Sequence, residues 1–164
     1  MTNSMPENGT KAPGFSLLNA DEQSVQLEDF RGKWLVLYFY PKDNTPGCTT
    51  EALDFTALKG EFEKEGAVIA GVSPDSCKRH RNFVAKKDLT IELLSDPEHQ
   101  ALEAYGVWQL KKNYGREYMG VVRSTFLIDP EGNIEKKWAK VKVKGHAEAV
   151  LEALSRAKTE NRRV

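Results

Sequence analysis

The chain reads as an α/β sandwich built on a mixed central sheet, and three observations carry that reading. Trp34–Tyr40 is a run of seven apolar or aromatic residues without alternation, the pattern of a strand buried on both faces. Two prolines and Gly47 then break the strand, and from Cys48 a helical periodicity runs through Ala52, Phe55, Leu58 and Phe62 to a stop at Gly66. Further on, two strand-like segments flank Asp129-Pro-Glu-Gly132, which marks a β-hairpin.

Taken in order, residues 1–12 are polar and expected to be frayed. Phe15–Leu18 and Ser24–Leu27 are short strands joined across Asn19–Gln23, an N-terminal β-hairpin, and Leu27–Phe30 makes one turn into the central strand. After the Cys48 helix, Ala67–Ser73 is a second buried strand. Pro74 and Asp75 open a helix to about Lys87, Ile91–Leu94 is a third parallel strand, and Asp96–Tyr105 a short helix ended by Gly106. Val107–Tyr118 has no clean period and is expected to cross the surface without regular structure. Val121–Ile128 and Ile134–Trp138 form the hairpin, and Gly145–Ala157 is a closing amphipathic helix before a charged tail, with 159–164 frayed. This order, βαβαβα then ββα, gives a thioredoxin-like sandwich with helices on both faces, in one domain spanning 1–164.

Composition narrows the function classes. With 24 basic and 24 acidic side chains the net charge is zero, which gives no electrostatic case for nucleic acid or an anionic membrane surface. No apolar run approaches the roughly 18 residues of a membrane span, and residues 1–14 lack the apolar core of a signal peptide. Two cysteines, Cys48 and Cys77, are too few for a secreted disulfide framework and lack neighbours at zinc-ligand spacing. The expectation is a cytoplasmic, reduced protein with no metal or other cofactor.

Chemistry is expected where the central strand ends. Cys48 lies on the first turn of its helix, facing unpaired backbone N–H groups and the positive end of the helix dipole, which favour a thiolate. The dipole supplies about 0.3–1 kcal/mol, whereas ionising an ordinary thiol fully at neutral pH takes roughly 3 kcal/mol. A second cationic partner is therefore expected. If the strand Arg123–Ile128 pairs antiparallel with Trp34–Tyr40, it starts at the edge where that strand ends, and Arg123 meets Cys48. Thr45, in the same constrained loop, can turn its hydroxyl into the same pocket.

Pro41-x-x-x-Thr45-x-x-Cys48 is similar to the peroxiredoxin active-site signature, and Arg123 in Val122-Arg-Ser-Thr-Phe is similar to that family's active-site arginine. Tyr38–Glu51, Gly71–Ser76 and Lys140–His146 resemble the bacterioferritin-comigratory, or peroxiredoxin Q, branch, and the resemblance spans about Gly14 to Lys158. It implies a monomeric enzyme that reduces hydrogen peroxide and organic hydroperoxides at Cys48 through a sulfenic acid, with thioredoxin or a similar dithiol as reductant. Thiolate attack expels an alkoxide or hydroxide, so Arg123, Thr45 and the N–H groups of Gly47 and Cys48 are expected to grip the peroxide oxygens. Pro41 completes the signature.

The sequence departs from the branch in its second cysteine. Position 53, five residues after Cys48, is Leu53, and the other usual position is Val84. Cys77, at the start of the next helix, is the candidate resolving cysteine. Helices after successive parallel strands can lie on opposite faces where strand order reverses, so two separate thiols are expected, bonding only if a helix turn unwinds. The alternatives are a disulfide oxidoreductase of thioredoxin type, which needs a cysteine where Glu51 stands, and a peroxide sensor without turnover.

Overall fold

A computed structural model describes residues 4–162. Its main sheet has seven strands: β1 (Ser16–Asn19), β2 (Ser24–Gln26), β3 (Trp34–Phe39), β4 (Ala67–Ser73), β5 (Glu92–Ser95), β8 (Ser124–Ile128) and β9 (Ile134–Trp138). They lie in the order β2-β1-β5-β4-β3-β8-β9, with β3, β4 and β5 parallel and every other pairing antiparallel. The helices are α1 (Pro46–Lys64), α2 (Cys77–Lys87), α3 (Gln100–Ala104) and α4 (His146–Arg162). All six residues of β3 are buried, as its unbroken apolar run requires.

Alternation along the strands divides the core between the two faces. Val36, Tyr38, Ile69, Leu93 and Leu127 pack with Phe55 and Phe62 of α1, Phe83 of α2 and Val150 and Leu154 of α4. Leu35, Leu37, Phe39, Val72 and Phe126 pack on the other face with Leu102, Tyr105 and the N-terminal Leu17 and Leu27. Helices thus cover both faces, but α1 and α2 share one. The order β5-β4-β3 does not reverse, so successive crossovers of one hand bring both helices to the same side. The opposite-face premise for the two thiols is thereby corrected.

Five further expectations change. Val107–Tyr118 is no irregular excursion: β6 (Trp108–Asn113) and β7 (Arg116–Val121) form a separate antiparallel ribbon. Its turn places Tyr114 and Gly115 at φ of 51° and 78°, a primed hairpin turn with a tyrosine at the first left-handed position, where Asn or Asp is the usual signal. The strand drawn from Val121 to Ile128 breaks at Val122-Arg123 between β7 and β8. Helix α2 starts at Cys77, not Asp75, because the Ser76 hydroxyl caps it by accepting the Arg79 N–H at 3.2 Å. At the N-terminus, Gly9 and Ala12 donate to the carbonyls of Ile134 and Gly132 at 2.7 and 2.9 Å, so residues 8–12 strap the β8–β9 hairpin rather than fray. Residues 1–3 lie outside those described. At the other end α4 continues to Arg162, past the expected stop at Ala157, and Lys158 bonds the Glu65 carbonyl at 2.7 Å; only 163–164 of the expected tail lie outside the described residues. No described helix is long and apolar enough to cross a membrane.

Candidate active site

The site forms where the carboxyl end of β3 meets the amino end of β8. Phe39 pairs with Ser124, so the residue before Ser124 falls beside the loop that follows β3. Pro41, having no N–H for the ladder, ends that strand, and the chain turns through Asn44 at φ 62° into α1. Thr45 is the N-cap and Pro46 the first helical residue, so Cys48 sits on the first turn and is 2% exposed. The first intrahelical backbone bond runs from Thr49 N–H to the Thr45 carbonyl at 2.8 Å, which leaves the N–H groups of Gly47 and Cys48 ahead of the ladder.

Arg123 reaches back to this turn. One guanidinium nitrogen donates to Cys48 Sγ at 3.2 Å and the other to Glu51 Oε1 at 2.6 Å. Gly47 gives it room, since a Cβ there would lie 3.3 Å from the same guanidinium nitrogen that meets the sulfur. Burial works against the charge on Arg123, but Glu51 and Cys48 outweigh it and hold the group cationic.

Glu51 had no role in the sequence-based reading, although three residues after Cys48 is one helical turn on the same face. It is 1% exposed, and its Oε2 has no hydrogen-bond partner among the described residues. Burial pushes its carboxyl up to about 7 even though the Arg123 charge pulls it down. Lys111 on β6, half-buried with its stem over Gly120, was also missed; burial and then the charge of Arg123 lower its ammonium, while Cys48 raises it. That side chain was hidden because its segment showed no strand period.

Thr45 stands at the N-cap of α1, and its hydroxyl proton goes elsewhere than to the sulfur. The hydroxyl donates to the Lys42 carbonyl at 2.8 Å. With its one proton committed, the oxygen is left as an acceptor, able to receive an O–H from a ligand at the helix terminus. Cys77 is not brought to this site. It is a free, half-buried thiol in a cleft of about 490 Å³ bordered by Leu17, Leu18, Arg81 and Pro97, and Cys48 is likewise free. A buried sulfur with a fixed guanidinium beside it sits on a helix turn whose backbone N–H groups lie ahead of the ladder, and the Thr45 hydroxyl oxygen is left as an acceptor at the same helix end, a set that suits attack by sulfur on an atom whose leaving group gathers negative charge.

The family model described as AhpC/TSA matches residues 8–137. The chain belongs to the AhpC/TSA family. Within that family it is similar to Peroxiredoxin Bcp of Bacillus subtilis, 54% identical over 148 residues, 90% of this chain and 94% of the relative. Among solved structures it is similar to Xylella fastidiosa PrxQ, with a TM-score of 0.90 and 41% identity over 94% of this chain and 99% of that one. It is also similar to the Xanthomonas campestris bacterioferritin comigratory protein, studied for its alkyl peroxide reduction activity through trapped intermediate and ligand complexes. That likeness has a TM-score of 0.84 and 49% identity over 87% of this chain and 91% of that one. The chain is thus a peroxiredoxin of the Bcp, or Q, branch with a thioredoxin fold.

Proposed function

We infer that this peroxiredoxin is a thiol-dependent peroxidase, an antioxidant oxidoreductase that reduces hydrogen peroxide and organic hydroperoxides at Cys48. The observation that carries the reading is the 3.2 Å contact from Arg123 to a sulfur buried on the first turn of a helix. In the reaction the Cys48 thiolate attacks one peroxide oxygen. An S–O bond forms, the O–O bond breaks, and the alkoxide or hydroxide leaves and takes a proton to give alcohol or water. Sulfur is oxidised to a sulfenic acid and the peroxide is reduced by two electrons. Arg123 and the N–H groups of Gly47 and Cys48 meet the charge that moves onto the oxygens, while Thr45 accepts the peroxide O–H and orients it. A thiol then condenses with the sulfenic acid, releasing water, and a second thiol restores Cys48. No metal or organic cofactor enters these steps.

The partner we propose for that return step is thioredoxin or a similar dithiol, serving a monomeric, single-domain enzyme in the cytoplasm. Cys77 opens into a cleft apart from Cys48, which supports direct reduction from outside over an internal disulfide. A disulfide oxidoreductase is disfavoured because Glu51, paired with Arg123, stands where the second thiol would be required. Peroxide consumption by the purified protein with a thiol reductant tests the assignment. Wild type turns over, and Cys48→Ser has none while keeping the same circular dichroism spectrum. Substantial turnover in that variant would remove the mechanism.

A further inference from the structure

We propose that Asp75 and His80, acting through Asp43, are positioning residues for Thr45. They form a buried polar network outside the peroxide site, and they aim the one hydroxyl that orients the substrate. The inference rests on the reading of Cys48 as the attacking thiol and Thr45 as the peroxide acceptor.

The network begins in one peptide plane. The Lys42 carbonyl accepts the Thr45 hydroxyl at 2.8 Å, and on the opposite side of the same planar unit the Asp43 N–H donates to Asp75 Oδ2 at 2.7 Å. Rotating that plane would break both bonds together. Asp75 is itself fixed, because its Oδ2 also accepts the Ser73 hydroxyl at 2.7 Å and its backbone carbonyl accepts Ser95 Oγ at 2.5 Å.

The side chain of Asp43 is held as firmly. Its Oδ1 accepts the Tyr40 hydroxyl at 2.5 Å and its Oδ2 faces His80 Nδ1 at 2.6 Å. His80 Nε2 donates to the Leu94 carbonyl at 2.9 Å, since a carbonyl can only accept. His80 is 0% exposed and Asp43 6%, so a broken bond here would strand a polar group away from water. The ligand atoms of Asp43, Asp75 and His80 lie within 4.8 Å of one another, as in a metal cage. Here, however, Tyr40, Ser73, His80 and the Asp43 N–H occupy the carboxylate oxygens at the centre. The arrangement is a hydrogen-bonded clamp.

Next to the clamp, Asn44 sits at φ 62°, a left-handed conformation that asparagine visits at little cost. Thr45 is half-buried, and its hydroxyl makes no capping bond to α1 but donates to the Lys42 carbonyl. Its rotamer therefore depends on the Lys42 carbonyl, and the Lys42 carbonyl depends on Asp75 and Asp43.

The test compares two electrophiles. A hydroperoxide needs Thr45 to present its O–H correctly, whereas iodoacetamide needs only the Cys48 thiolate. Peroxide kcat/KM and the Cys48 alkylation rate, read by peptide-resolved mass spectrometry, are measured for Asp75→Ala and His80→Gln. Loss of one hydrogen-bonded orienting contact predicts a fall of about tenfold or more in the peroxide rate, with alkylation within about twofold of wild type. Asp75→Asn, which keeps an oxygen to accept the Asp43 N–H, restores most of the loss. In a Thr45→Val background the same substitutions cost nothing further, because the group they position is gone. The inference is overturned by losses that persist in full without the Thr45 hydroxyl, or by alkylation and peroxide rates that fall in parallel. If Asp75→Ala does not fold, His80→Gln carries the same comparison. A wild-type protein that consumes no peroxide would overturn the reading of the whole site, whereas active wild type with additive losses overturns the positioning role alone.

Discussion

Glu51→Gln should change how stability depends on pH, and the direction follows from the burial of this carboxyl. Its folded value is raised from 4.5 to about 7, first by loss of hydration and against the pull of Arg123. Between those values the folded state holds a proton that the unfolded state has released. Stability from this group is therefore full below about 4.5 and is lost as pH rises toward about 7. The slope is about 1.4 kcal/mol per pH unit, or about 3 kcal/mol over the window. His146 works in the opposite sense. Burial, then the charge of Arg123, lowers it from 6.5 to about 4, so its stabilisation is full above about 6.5 and is lost as pH falls toward about 4. From about 4.5 to 6.5 the two slopes nearly cancel, which conceals both in the wild-type profile. The difference between Glu51→Gln and wild type exposes one of them, because all other groups drop out. Urea unfolding at half-unit steps from pH 4 to 8 should show the variant gaining about 3 kcal/mol relative to wild type by about pH 7. In melting temperature that is a relative rise of roughly 2–4 °C per kcal/mol. A flat difference curve would mean that Arg123 keeps Glu51 ionised throughout, and the reasoning from burial would be wrong.

Arg123→Ala should lower peroxide kcat/KM by more than about 30-fold, the ceiling for a thiol already a few per cent ionised at pH 7. Full recovery at high pH would show that Arg123 acts on ionisation alone. Gly71→Ala should destabilise the fold by about 1–3 kcal/mol in urea unfolding, because a Cβ would lie 2.7 Å from Cζ of the fully buried Tyr38; an unchanged midpoint would refute the clash. After one equivalent of peroxide, mass spectrometry should find Cys48 as a sulfenic acid and Cys77 still open to alkylation, whereas a linked Cys48–Cys77 peptide would make Cys77 the resolving thiol.

The legible parts of the fold were those where one physical cause dominated. Trp34–Tyr40 announces a central strand because no exposed strand tolerates an unbroken apolar run, and Ala52, Phe55, Leu58 and Phe62 announce the helix after Cys48 because one buried face imposes their spacing. The ribbon Trp108–Val121 was illegible for the converse reason. It lies off the main sheet, and most of its residues are exposed on both sides, so no core imposes the alternation by which strands are read. The strap at residues 8–12 escaped likewise, because its hydrogen bonds are made by backbone to Gly132 and Ile134, and backbone bonding leaves no mark in the side chains.

In the site, sequence reasoning named Cys48, Thr45 and Arg123 and missed the groups that contact them, Glu51 above all. Cys48, Thr45 and Arg123 are tied by helix geometry and strand pairing, and the pairing of Phe39 with Ser124 is a consequence that can be foreseen from topology. Glu51 shares the helix face of Cys48, yet its meaning depends on which anion the guanidinium serves. Arg123 donates to both, so one cation lies between two buried acceptors. Two anions cannot share it without loss, and the carboxyl, whose Oε2 has no donor among the described residues, is the one that burial inclines to hold a proton. A neutral Glu51 still fixes the guanidinium by accepting its N–H, but leaves the positive charge to the sulfur and to the oxygen departing from it. The carboxyl then aims Arg123 without competing for its charge, and Glu51→Gln, which keeps an acceptor oxygen, should preserve peroxide turnover where Glu51→Ala loses it.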